Sequence, residues 1–192
     1  MIARTLNRRT VIAATLAVLA LPPPGLSSTA HAATADERLV HEAANQFLEI
    51  VRKGGRREDY AKALDTYFSI SSMAMFALGK HRRKLKPKQM QQYLDLFDKM
   101  ILNAVTKHGK KVRGKAFVVT RTRGGIVQGY VQHNLDRRTG VEFRTRKNRI
   151  TDVRVQGIWL VITLRQSFDQ LIQQGNGSIE AVFNYLRSGR TP

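Results

Sequence analysis

Apolar and polar positions recur along this chain with two different periods, and the change between them divides it. Thr34 stands three residues before Glu37, the spacing of a capping box, and Val40, Ala43, Ala44, Phe47, Ile50 and Val51 follow at helical intervals up to Gly54-Gly55. A shorter helix is predicted across 57–67, with Tyr60, Ala63, Leu64 and Tyr67 on one face. SISSMAMFALGK (69–80) predicts a compact apolar helix over 71–79, capped by Ser69 or Ser71 and ended by Gly79. After the basic connector HRRKLKPK (81–88), Pro87 opens the strongest helix, 88–107. Its continuous face of Met90, Tyr93, Leu94, Phe97, Met100, Ile101, Ala104 and Val105 is widened by Leu96 and Leu102. A face that broad predicts cover on more than one side.

Beyond Gly109 the period shortens. KAFVVTRTR, IVQGYVQHNL, VEFRTRK and ITDVRV are short, rich in β-branched residues, and separated by turn signals at Gly124-Gly125, 136–140 and Asn148. They predict about four antiparallel strands in a meander. Arg121, Arg123, Arg144 and Arg146 alternate with apolar neighbours, so one face of the sheet is wet and basic and the other covered. From Trp159 the spacing turns helical again over 159–174, with Leu164, Phe168, Leu171 and Ile172 on one face. Ser178 is placed to cap a last helix, 179–187. Helices, meander and helices in that order predict an α+β fold, with helices packed on one side of the sheet.

The N-terminal 32 residues do not fit that pattern. Arg4, Arg8 and Arg9 precede the apolar run VIAATLAVLAL, then PPPG, then Ala30-His31-Ala32. This is the layout of a cleaved signal peptide, with the run well short of the ~20 residues that span a bilayer. An uncleaved anchor is the other reading. Arg8-Arg9 fits twin-arginine export loosely and Sec export equally. Cleavage after Ala32 leaves a single domain, 33–192, with 30 basic and 14 acidic residues, a net charge of +16.

That charge calls for an anionic partner or a merely basic soluble surface. Export, 7% aromatic content and the absence of RNA- or zinc-module signatures argue against nucleic acid and for phospholipid headgroups or lipopolysaccharide phosphates. With no cysteine there is neither disulfide nor thiolate site. His41, His81, His108 and His133 show no metal-ligand spacing and are predicted as surface residues. Asp152 is the only plausible catalytic acid, and its strand neighbours are Val153 and Val155, so no enzyme, metal or cofactor is expected. The basic cluster Lys80, Arg82, Arg83 and Lys84 reads either as a solvated face or as a surface for docking to a membrane or an acidic partner. Lys107, Lys110, Lys111, Arg113 and Lys115 form a second such cluster. The chain has no heptad seam, and a monomer is expected.

The segment 149–187, RITDVRVQGIWLVITLRQSFDQLIQQGNGSIEAVFNYLR, resembles the C-terminal signature of the MlaC-type toluene-tolerance family. The matching positions are Asp152, Val153, Val155, Gly157, Arg165, Phe168, Gly175 and Leu186-Arg187. Upstream, Phe68, Phe76, Leu78, Gly79, Gln89, Tyr93 and Phe97 are similar to that family's Leu-Gly segment and the helix after it. The chain departs from the pattern at Lys80-His81-Arg82-Arg83 and at Gly157-Ile158-Trp159. The resemblance implies a periplasmic phospholipid carrier between an outer-membrane lipoprotein–porin complex and an inner-membrane ABC transporter, maintaining outer-membrane lipid asymmetry. A hopanoid-associated branch shares the pattern. It also implies an apolar cavity between sheet and helices, for which Met73, Phe76, Tyr93, Phe97, Met100, Ile101, Val155, Ile158, Trp159, Leu164 and Phe168 are the expected lining. The same residues have a second reading, as core that packs only against itself.

Overall fold

Thr34 accepts from the Glu37 N–H while the Glu37 carboxylate accepts from the Thr34 N–H, and this reciprocal cap starts helix α1, Ala35–Arg52. The computed structural model describes residues 33–109 and 114–189. The expected signal peptide, and Lys110, Lys111 and Arg113 of the second basic cluster, lie outside the described residues. After α1 come α2 (Arg57–Tyr67), α3 (Ile70–Leu78), a 3-10 turn (Gly79–Lys84) and α4 (Pro87–His108). A five-stranded antiparallel sheet follows in sequence order: β1 (Ala116–Arg123), β2 (Ile126–Gln132), β3 (Arg138–Arg146), β4 (Arg149–Val155) and β5 (Ile158–Trp159). Two helices, α5 (Leu160–Gln174) and α6 (Glu180–Arg187), complete it.

The α+β meander is as expected, with small differences that have local causes. A fifth, two-residue strand precedes α5, because Gln156 and Gly157 adopt positive φ and fold Ile158 and Trp159 back onto Val155 and Arg154. Trp159 is therefore strand and helix cap rather than first helical residue. Ser69 precedes α3, but its hydroxyl donates to Ser72 Oγ instead of capping the backbone. Ser178 accepts from the Glu180 N–H at 3.3 Å, one residue outside the position expected of it.

One sheet face is apolar. Phe117, Val127, Val131, Val141 and Phe143 pack there against Val40, Ala43, Ala44 and Leu48 of α1. The interior holds two main apolar bodies: this sheet–α1 body, and a helical body built from α3, α4, α5 and α6. Phe68, between α2 and α3, packs against both.

Candidate functional site

The residues expected to line a cavity fall into three groups. Met73, Tyr93, Phe97, Met100, Ile101, Leu164 and Phe168 are all buried in the helical body and pack together. Phe168 sits at its hub, its ring meeting those of Tyr93, Phe97 and Tyr185 at centroid distances of 6.2–6.4 Å, each near edge-on. The Tyr93 hydroxyl donates to the Ala74 carbonyl at 2.8 Å, and burial pushes its phenol well above the ordinary value. Phe76, Val155 and Ile158 are instead among the few exposed large hydrophobics, Ile158 at 63%. Val155 and Ile158 face each other across the β4–β5 turn, and Phe76 lies under the Arg165 guanidinium at 5.4 Å. Trp159 stands apart on the opposite sheet face, with Arg144 and Arg154 at 4.4 and 5.8 Å from its ring.

A concavity of about 510 Å³ lies elsewhere, with Leu64, Phe68 and Leu102 among its apolar lining and Asp65, Asp98 and Arg149 among its polar lining. None of these was expected from the sequence to line a cavity, because they come from α2, the α2–α3 junction, α4 and β4 and converge only in the fold. Burial, followed by the nearby Asp65 and Asp95 charges, raises the Asp98 carboxyl above its ordinary range, opposed by Arg57.

Asp152 explains the Asp-Val-x-Val signature. It is 2% exposed, and its Oδ1 accepts from the Val153 N–H at 2.9 Å and the Val161 N–H at 3.0 Å. Val161 is the second residue of α5, so a carboxylate on β4 supplies the cap that Trp159 cannot. The Arg144 guanidinium lies 3.7 Å from Oδ2. Burial raises the Asp152 carboxyl, opposed by these two N–H donors and by Arg144.

The basic cluster Lys80, Arg82, Arg83 and Lys84 is exposed on the 3-10 turn, and no ion pair is formed by any of the four among the described residues. His81 points the other way, which corrects its assignment as a surface residue. It is 9% exposed, and its Nε2 lies 2.9 Å from Asp169 Oδ1 on α5, pinning the turn. Gly79 has φ +56°, and a Cβ there would sit 3.0 Å from Arg165 Cζ, so the Leu-Gly step lets Arg165 cross beneath the turn.

A meander sheet covered on one face by helices, over an apolar interior divided in two and with its buried carboxylate capping α5, defines an α+β fold class. The chain belongs to the MlaC protein family, whose model matches residues 34–188. Among solved structures it is similar to a phospholipid-binding protein from Ralstonia solanacearum, determined in complex with a phospholipid. The two share 18% identity over 79% of this chain and 94% of that one, with a TM-score of 0.67. No curated protein matches the chain.

Proposed function

We propose that the protein is a periplasmic phospholipid carrier, exported through its N-terminal signal, that moves single lipids as a monomer. Its proposed partners are an inner-membrane ABC transporter and an outer-membrane lipoprotein–porin complex, with outer-membrane lipid asymmetry as the outcome. The observation that carries this reading is the family match over 34–188, together with a fold shared with a phospholipid-bound relative.

The physical demand is severe. At about 0.8 kcal/mol per CH₂, two sixteen-carbon tails resist entering water by roughly 20 kcal/mol or more. A carrier must cover the tails and leave the head wet. The packed helical body is, in this reading, the closed form. Tails enter the seam between the two apolar bodies, where Phe68 touches both, and part Met73, Phe97, Leu164 and Phe168 from their neighbours. The exposed Phe76, Val155 and Ile158 are the first apolar surface a tail meets. Lys80, Arg82, Arg83 and Lys84 dock the carrier to anionic surfaces. Detergent-free purification followed by lipid extraction and mass spectrometry tests the reading. Stoichiometric phospholipid is expected; a stable, lipid-free protein overturns it, and a bound hopanoid replaces the ligand.

A further inference from the structure

The uncovered face of the sheet has a chemistry distinct from the rest of the surface. Residues directly opposed across a ladder share a face, so the register places its side chains in rows. One row runs Arg121, Gln128, Glu142, Arg154, Trp159, and the next Arg123, Ile126, Arg144, Asp152. Arg138 and Arg146 extend the same face along β3. Its cations are thus arginines only, spread over roughly 14 Å from β1 to β4 at the usual strand spacing. Two carboxylates offset them: Glu142 pairs with Arg154 at 3.2 Å, and Asp152 is buried beside Arg144. Arg121, Arg123 and Arg146 are exposed and have no hydrogen-bond or ion-pair partner among the described residues. Nothing in the fold requires guanidinium groups at those three positions.

Planar, weakly hydrated forks suit phosphate oxygens better than ammonium groups do. Two classes of macromolecule offer phosphates over such an area. Single-stranded nucleic acid would need free aromatic faces for base stacking, and a duplex, held through phosphates alone, would gain nothing from apolar side chains beside the cations. Here the Trp159 ring lies beneath Arg144 and Arg154, and Tyr130 beneath Arg138 at 4.8 Å, so guanidinium groups already occupy both rings. What remains is cationic edges beside half-buried aromatics and the apolar Ile126 and Val118, the mixture that sits at a bilayer's headgroup level. We propose that this arginine face is a docking surface for the phosphate plane of an anionic phospholipid bilayer. It is separate from the lysine–arginine turn at 80–84 and does not depend on lipid being held inside.

The test is sedimentation of the purified protein with mixed phosphatidylglycerol–phosphatidylcholine vesicles, comparing wild type with Arg121→Gln/Arg123→Gln. Each cation near an anionic surface contributes about five-fold in binding, so the double variant should bind about 25-fold more weakly. Wild-type binding should fade as salt rises. Trp159, the only tryptophan, should change its fluorescence when the wild type binds. Both substitutions are at exposed positions, and unchanged melting temperature and co-purified lipid separate this question from folding and from carriage. Vesicle binding unchanged in the double variant overturns the proposal. So does wild-type binding to pure phosphatidylcholine of equal strength, or a deficit seen with single-stranded DNA and not with vesicles.

Discussion

Removing the Asp152 carboxylate separates two roles that one side chain performs. Asp152→Ala leaves the Val161 and Val153 N–H groups without their side-chain acceptor, and Val161, in the first turn of α5, is buried. Unpaired buried donors cost about 1–3 kcal/mol each, and loss of a helix cap about 0.5–2 kcal/mol, partly the same energy counted twice. The expected loss is therefore about 3 kcal/mol. For a domain of this size that lowers the melting temperature by about 6–12 °C. Asp152→Asn keeps a carbonyl oxygen where Oδ1 stands but puts an amide NH2 in place of the buried Oδ2 beside Arg144, so it should cost about 1 kcal/mol, well short of the Ala variant. The pH dependence has a definite sign. Burial raises the folded carboxyl above its unfolded value, so between those two values the native state holds the proton more tightly than the unfolded chain does. This group's contribution to stability thus grows as pH falls through the raised value, the reverse of a salt-bridged aspartate. Asp152→Asn should remove that contribution while leaving the other carboxylates' slopes in place. Thermal unfolding of the three proteins from pH 4 to pH 8 is the assay. An Asn variant as damaged as the Ala variant, or an Ala variant as stable as wild type, would refute the capping argument.

Three further outcomes follow from the packing. Phe168→Ala, at the hub of the helical body, should cost about 3–5 kcal/mol by chemical denaturation, and more for the delipidated protein than for the loaded one if tails replace its neighbours. Gly129→Ala would put a Cβ 2.3 Å from the Val118 carbonyl oxygen and 2.5 Å from Phe117 Cζ, and should destabilise by about 1–3 kcal/mol in the same assay. Added phospholipid should raise the melting temperature of delipidated protein in a concentration-dependent way, as any ligand of the folded state does; a flat titration counts against carriage.

The long helix and the meander were legible because their signals repeat. α4 matched its predicted span within one residue at each end, since eight apolar positions kept one period, and Gly124-Gly125 marked the first hairpin by backbone freedom alone. β5 was not legible: in QGIWLVITL no polar residue reports the period, so a two-residue strand and a helix start look alike. His81 sits in a run of cations that reads as solvated, and its partner is 88 residues away. Asp152 gave no sign of capping α5, because a cap supplied by another element leaves no local spacing. The proposed lining residues have the same composition whether they wall a cavity or fill a core; only their mutual burial distinguishes the closed arrangement.

The placement of α1 on the sheet also orders events in time. Its Asn45 side chain accepts from the Phe117 N–H, 72 residues along the chain, and its apolar face is covered by strands made long after it. Each strand of the sheet, in contrast, pairs with its immediate successor, so the hairpins close short loops and need not wait. A chain emerging N-terminus first therefore carries α1 with Val40, Ala43 and Leu48 bare until β1 and β2 have met. Pulse-labelled hydrogen exchange during refolding should show the β2–β3 amides protected before those of α1, making the unfinished N-terminal helix the segment most in need of a chaperone.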